Sequence, residues 1–178
     1  MMAVMTWPSP SDGWNPITWT EWAMNEAAGR AAKAVWHDPH RAFAGMGETL
    51  WWICALDDIL KRAGNEEYLR ARRDNFVDGP IKGLRHARNR FAHDGRVLDY
   101  LAVHEVAGDG GLGQHTEWKW LPLPPAPEEG RHGEAEYRES LEGKPINPTL
   151  QFVCNFLRGI SRQYVREGHP RDDPDQHD

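Results

Sequence analysis

The residues best suited to chemistry lie in one short segment, Leu84–Asp94, near the middle of the chain. If this segment is a helix, Arg85, Asn89 and His93 follow one another at four-residue spacing and form a polar stripe, with Arg88 beside it. A neutral imidazole can take the proton from a ribose 2′-hydroxyl, and a guanidinium can bind the phosphate and stabilise the charge of the transition state. The segment therefore predicts cleavage of RNA without a metal, with His93 as general base and Arg88 on the scissile phosphate.

Arg88 and His93 do not project in the same direction from a regular helix. They are five residues apart, which is about 140° around the axis at 3.6 residues per turn. Two arrangements would bring them to one substrate. Either the helix frays toward Gly95 and His93 swings round, or a second copy of the chain completes the site across a two-fold axis. We favour the second, since an isologous interface gathers the cations of both copies in one cleft, and this predicts a homodimer.

The run Arg88-Asn89-Arg90-Phe91-Ala92-His93 resembles the motif of the HEPN superfamily. That motif is an arginine, usually followed by a polar residue, and then a histidine after four to six positions at the end of a third helix. Arg88, Asn89 and His93 match it in turn. By helix order the resemblance covers about Thr20 to Arg166, and its specific part is these six residues.

The resemblance implies a four-helix bundle and a dimeric endoribonuclease that needs no metal and no other cofactor. Such proteins are commonly toxins or abortive-infection effectors in prokaryotes, so the implied partners are RNA, a second copy and an antitoxin protein. The family often has an acidic or polar residue on the second helix, for which Glu48 is the candidate and Asp57 or Asp58 the fallback. We expect Arg85 and Glu48 to contact the substrate.

One subfamily, paired with nucleotidyltransferase antitoxins, carries a tyrosine two residues after the motif histidine. Gly95 stands at that position here, so regulation by adenylylation of such a tyrosine is not predicted.

The spacing of apolar residues and helix breakers predicts a mainly α fold, an up-down four-helix bundle with a β-hairpin inserted between the third and fourth main helices. The first helix is predicted to start with a capping box of Thr18 and Glu21. Asp38 is the predicted N-cap of the second, which stops at Gly64. The main helices are expected at about Thr20–Trp36, Pro39–Gly64, Pro80–His93 and Pro148–Arg166, with a short polar helix at Tyr68–Phe76.

The stretch between the third and fourth main helices has a different character. Val97–Val106 and Thr116–Leu121 carry β-type residues and flank a glycine-rich turn at Gly108–Gly113, which predicts the hairpin. Pro122–Gly143 is rich in proline, glutamate and glycine and is predicted to be a loop. Residues 97–146 are thus an insertion within one domain, 17–167, between a flexible segment at 1–16 and a disordered tail at 168–178.

The net charge of −6 is unusual for a protein that handles nucleic acid, but the charge is unevenly distributed. Lys61–Arg96 holds ten basic and five acidic residues, whereas the remainder holds eleven basic and twenty-two acidic ones. A basic segment in an acidic chain can bind phosphate locally while discouraging indiscriminate coating of nucleic acid. No apolar run is long enough for a bilayer and no export signal is evident, so we expect a cytoplasmic protein without membrane contact.

Several other residues have structural interpretations. Cys54 and Cys154 lie in apolar helical patterns and are expected to be buried, reduced thiols. Trp51 and Trp52 are expected in the core or at a dimer interface. Trp118 and Trp120 could stack on bases, but packing of the hairpin on the bundle is the preferred interpretation. The arginines outside the motif are expected to be solvated or paired with nearby acids such as Glu66, Glu67 and Asp74; they are Arg70, Arg72, Arg73 and Arg90.

Three alternatives compete with catalysis. Cations near a helix C-terminus can simply complement the helix dipole, an effect of ~0.3–1 kcal/mol. A non-catalytic HEPN-like module could bind RNA or a nucleotide, or act as a scaffold. A DNA-reading helix-turn-helix is disfavoured, because Gly95 ends the third helix and a hairpin follows.

His37 and His40 resemble half of a metal site, but N-capping by Asp38 accounts for that segment and no metal is predicted.

Overall fold

The structure is a computed structural model that describes residues 15–34, 38–93, 101–106, 115–125 and 128–167. At residues 34, 39, 91–93, 101–106, 115–117 and 129 it describes the backbone only. Residues 1–14 of the predicted flexible segment lie outside the described residues. The predicted tail 168–178 and the predicted turn of the hairpin lie outside them as well.

The first helix, α1 (Pro16–Ala34), begins one turn earlier than the sequence pattern predicts. Asn15 Oδ1 accepts hydrogen bonds from the backbone N–H groups of Ile17 at 2.9 Å and Thr18 at 3.3 Å. Asn15 is therefore the N-cap, and Pro16 takes the first helical position, where a missing N–H costs nothing. The predicted capping box of Thr18 and Glu21 is wrong, because an asparagine followed by proline offers a better start.

The second helix, α2 (Pro39–Asp74), begins as predicted. Asp38 Oδ1 accepts from the backbone N–H of Arg41 at 3.1 Å. Asn65, directly after the predicted stop at Gly64, leaves helical geometry with φ 39° and ψ −115°. The helix resumes immediately, so the predicted short polar helix forms the second limb of a kinked α2. That limb ends at Asp74, two residues before its predicted end.

The remaining elements are α3 (Asp78–His93), β1 (Leu101–Val106), β2 (His115–Trp120), α4 (Glu134–Ser140) and α5 (Ile146–Glu167). The two strands pair antiparallel, with Leu101 opposite Trp120 and Val106 opposite His115, which confirms the predicted hairpin. Trp118 and Trp120 are buried at 5% and 1% exposure, which confirms that the hairpin packs against the helices.

The prediction that Pro122–Gly143 is a loop is wrong, because a 3₁₀ turn at Glu128–Gly130 and the helix α4 lie within it. Of the apolar side chains described in this stretch, only Tyr137 and Leu141 are completely buried, and the Tyr137 hydroxyl donates to the carbonyl of Leu121 at 2.7 Å. Two apolar anchors are too few to produce a helical repeat in the sequence. Contact with α3 stabilises this short helix: a Cβ at Gly83 would lie 2.4 Å from Leu141 Cδ1.

The helices enclose one apolar core, and α1 and α2 approach closely within it. Ala27 and Ala31 of α1 are buried, and a Cβ at Gly45 of α2 would lie 2.9 Å from the backbone nitrogen of Ala31. Cys54 and Cys154 are both free and buried, as predicted. Across the described ranges, no helix combines the length and apolar character needed to cross a membrane.

Candidate functional site

A cleft of about 580 Å³ lies where α1, α2 and α3 meet. It brings together two of the predicted site residues, Arg88 and Glu48. Helical spacing explains the rest of its lining: Trp22, Glu26 and Arg30 follow one another at four-residue intervals on α1, as Glu48 and Trp52 do on α2. The lining residues are Trp22, Ala23, Glu26, Arg30, Gly47, Glu48, Trp51, Trp52 and Arg88.

Arg88 rests on an aromatic ring of this cleft. Its Cζ lies 5.5 Å from the centre of the Trp51 ring, within the range of a cation–π interaction. Its Nε is buried and has no hydrogen-bond partner among the described residues. Among the described side chains, no carboxylate forms an ion pair with Arg88, so its positive charge remains available to an anionic ligand.

Glu48 lines the same cleft but is already engaged. Its carboxylate accepts a hydrogen bond from the guanidinium of Arg30, and the two form an ion pair with about half of each side chain exposed. An exposed pair of this kind contributes only ~0–1 kcal/mol, so it can open when a ligand enters. Glu48 thus lines the cleft and balances the charge of Arg30. Its contact with a substrate stays a prediction.

Arg85 does not line the cleft that Arg88 lines, contrary to the expectation from the sequence. Its Nη2 lies 2.7 Å from Asp57 Oδ2 and 2.7 Å from Asp58 Oδ1, and its Nη1 donates to Asp58 Oδ2 at 3.1 Å. Burial alone would lower the pKa of Arg85, but these hydrogen bonds outweigh it and raise the pKa. Arg85 therefore joins α3 to α2, and the two aspartates hold a protein cation.

Asp57 is the centre of this buried network. It is 1% exposed, and it also accepts hydrogen bonds from Arg72 Nη1 at 2.9 Å and from the Tyr68 hydroxyl at 2.7 Å. Arg72, expected to be solvated or paired with acids such as Glu66, Glu67 and Asp74, is 5% exposed and pairs with Asp78 at 2.8 Å as well. A carboxylate this deeply buried needs several donors, which the kinked second limb of α2 supplies.

Several cations of the basic segment are consequently engaged in ion pairs within the protein. Arg72 and Arg85 are neutralised by buried or half-buried aspartates, and Lys82 pairs with Asp78 at 2.8 Å. Arg90, also expected to be solvated or paired with nearby acids, is buried at 8% exposure. Arg88 is the motif cation that the fold brings to a cleft.

His93 and Asn89 complete the predicted catalytic set. The α3 backbone stays helical through His93, so the fraying that would swing this residue round does not occur before it. The angular separation of about 140° from Arg88 is retained. The His93 side chain lies outside the described residues, and Asn89 is half-buried.

His86 is a buried histidine that the sequence pattern did not single out. It is 1% exposed, its Nδ1 lies 3.1 Å from the carbonyl oxygen of His132, and its ring is 5.9 Å from that of Tyr137. Burial disfavours the charged imidazolium and lowers the pKa of His86. Its contacts are with α4 and the turn before it, so it connects those elements to α3. No sequence signal indicated this, because α4 itself carried none.

The described side chains contain no group of three or more His, Cys, Asp or Glu arranged to hold a metal ion. His37, half of the weak metal-like pattern, lies outside the described residues, and Asp38 between the two histidines is the N-cap of α2.

No protein-family model, no curated protein and no solved structure matches this chain significantly.

Proposed function

We propose that this protein is a metal-independent endoribonuclease of HEPN type that acts as a toxin or defence effector. The single observation that carries the proposal is the state of Arg88: the first residue of the motif lines a cleft and has no carboxylate partner among the described residues. Its neighbours Arg72 and Arg85 are consumed by structural ion pairs. A cation kept available in this way suits the binding of a phosphate.

The proposed chemistry uses two groups of the motif. Neutral His93 takes the proton of a ribose 2′-hydroxyl, and the oxygen attacks the adjacent phosphorus. The 5′-oxygen leaves and is protonated by water, so the products are a 2′,3′-cyclic phosphate and a 5′-hydroxyl. Arg88 binds the non-bridging oxygens and stabilises the added charge of the transition state. Asn89, adjacent to Arg88, is the third member of the predicted set and is assigned to positioning the phosphate.

The proposed site is shared between two copies. The helical separation of Arg88 and His93 on α3 argues against their action on one phosphate from a single chain. A two-fold axis beside the end of α3 would place Arg88 of one copy opposite His93 of the other.

Cleavage of purified RNA tests the activity. The wild-type protein, incubated with tRNA or total RNA in excess EDTA, is expected to yield fragments with cyclic phosphate ends. His93→Ala should lower the rate by about 10²–10⁴-fold, the usual contribution of a general base, and Arg88→Ala should be similarly inactive. His40→Ala and Arg70→Ala, changes of exposed residues of the same types on α2, are the matched controls and should keep full activity. RNA left equally intact by wild type and His93→Ala would refute the proposal.

Mixing two inactive variants tests the shared site. In a heterodimer of Arg88→Ala with His93→Ala, one of the two composite sites is intact. With random exchange of subunits, about a quarter of the wild-type activity should return. A site formed within one chain would give no recovery, and a strictly monomeric protein in light scattering would contradict the two-copy site.

A non-catalytic module that binds RNA or a nucleotide is the second candidate. It is favoured by the composition of the cleft, where Glu26 and Glu48 balance Arg30 and Arg88 and leave no net charge. This alternative predicts normal growth of cells that express the chain alone. It also predicts RNA binding that survives His93→Ala but weakens with Arg88→Ala, without any cleavage by the wild type.

A further inference from the structure

Two of the tryptophans that line the Arg88 cleft are unusually exposed. Trp22 on α1 is 59% exposed and Trp51 on α2 is 55% exposed, whereas Trp118 and Trp120 of the hairpin are buried. Large aromatic side chains are normally removed from water, and a cluster of exposed ones indicates a binding surface. The fold therefore presents indole rings to solvent in the same cleft as Arg88, which has no carboxylate partner among the described side chains.

Indole faces and a guanidinium form a recognition set for an unpaired nucleotide. A base stacks on an aromatic ring irrespective of its identity, and the cation binds the phosphate. The volume of about 580 Å³ falls within the roughly 300–1,000 Å³ of ordinary small-molecule sites. Bases in a duplex are stacked on one another and cannot reach such rings.

We propose that this cleft binds an unpaired nucleotide of single-stranded RNA, with the base against the exposed indoles of Trp22 and Trp51 and its phosphate on Arg88. This inference rests on the proposed function and names its substrate class. The cation–π contact with Trp51 holds Arg88 in place. The Trp51 ring therefore contributes directly to binding of the base and, through Arg88, to binding of the phosphate.

The charges of the cleft argue against a second copy of the chain filling it, so in the proposed shared site the second copy would border the cleft beside Arg88. Four charged residues, Glu26, Arg30, Glu48 and Arg88, line it. The cores of protein–protein interfaces are depleted of charged residues, whereas interfaces with nucleic acid are polar throughout.

Binding measured on a His93→Ala background separates recognition from cleavage. Fluorescence anisotropy of a 5′-labelled single-stranded RNA would be compared with the same strand in a duplex, with the duplex expected to bind more weakly. Adding Trp51→Ala or Trp22→Ala should weaken single-strand binding roughly 5- to 100-fold, the effect of losing one stacked base. Trp51→Phe, which keeps an aromatic face, should lose only a few-fold. Phe152→Ala, an exposed aromatic on α5 outside the cleft, should change nothing.

Three outcomes would overturn the inference. The first is that Trp22→Ala and Trp51→Ala both bind single-stranded RNA with unchanged affinity. If the wild-type protein nevertheless cleaves RNA, the proposed function stands and only this inference fails. The second is equal affinity for the duplex and the single strand. The third is that Trp22→Ala and Trp51→Ala turn a dimer into a monomer in light scattering, which would identify the face as an interface between copies. If the tryptophan variants weaken binding but wild type never cleaves, the nucleotide site stands and the ribonuclease activity fails.

Discussion

The Arg88 guanidinium lies over the indole ring of Trp51, with 5.5 Å between its Cζ and the ring centre. Three residues earlier on the same helix, Arg85 has two aspartates as partners. The two arginines are identical in type and neighbours on α3, but their surroundings assign them opposite roles. Aromatic contact leaves the charge of one available, while carboxylates neutralise the other and fix the packing of α3 on α2.

This difference predicts that the two arginines contribute to different properties. Arg85→Ala should lower the free energy of unfolding by about 3 kcal/mol, near the lower end of the cost of breaking a buried ion pair, because Arg72 and Tyr68 still bind Asp57. Arg88→Ala should lower it by less than about 1 kcal/mol, since only a half-exposed cation–π contact is lost. Urea unfolding of both variants measures this, and equal destabilisation would contradict the assignment.

His86 predicts a dependence of stability on pH. Its pKa in the folded protein is below the ordinary value of 6.5, mainly because burial disfavours the imidazolium. The unfolded chain therefore takes up this proton first as the pH falls, and the free energy of unfolding should decrease below pH 6.5. The charged groups that act on His86 are Arg90, Glu134 and Arg138.

The measurement for His86 is thermal or urea unfolding between pH 5 and 8. His86→Gln removes the titrating group and can still donate to the carbonyl of His132, so its stability should fall less steeply with acid than that of the wild type. His40→Gln, at an exposed histidine, is the control and should retain the wild-type slope. If the free energy of unfolding of His86→Gln falls with pH as steeply as that of the wild type, a group other than His86 causes the loss of stability in acid.

The close approach of α1 and α2 predicts opposite effects of two glycine substitutions. Gly45→Ala would place a Cβ 2.9 Å from the backbone nitrogen of Ala31, so α1 must move, at a cost of about 1–3 kcal/mol. Because α1 carries Trp22 and Arg30, the cleft should also bind RNA less well. Gly29→Ala meets nothing within 4 Å and should stabilise the helix by about 0.5–1 kcal/mol. Comparison of the two unfolding free energies checks this, and a stabilised Gly45→Ala would refute the tight contact.

The two cysteines are predicted to be unreactive in the folded protein. Burial raises the pKa of Cys54 to about 11 and that of Cys154 to about 12. Only the thiolate reacts readily, so a thiol reagent at pH 8 should label neither residue until denaturant is added, when both should react. Rapid labelling of one thiol under native conditions would mean that its helix opens locally.

Local signals determined much of the fold from the sequence alone. Asp38 followed by Pro39 fixed the start of α2, since an N-cap and a first-turn proline act within a few residues. The apolar repeat of the last helix and the alternating pattern around Trp118 and Trp120 likewise predicted α5 and the hairpin. The sequence also identified the Arg88–His93 segment as the best candidate for chemistry, because residue type and helical spacing suffice for that.

Tertiary structure decided which of the basic residues are available for a ligand. Arg85 and its partner Asp57 are 28 residues apart, and no local pattern pairs them. The helix α4 was missed for the same reason: its two apolar anchors gain stability from contacts with α3 and with the end of β2, which are distant in the sequence. Ion pairing and burial depend on distances between distant parts of the chain. The sequence could therefore propose a polar stripe of three residues with Arg88 beside it. Only the packed helices separated Arg88, in its aromatic cleft, from Arg85, in its network of aspartates.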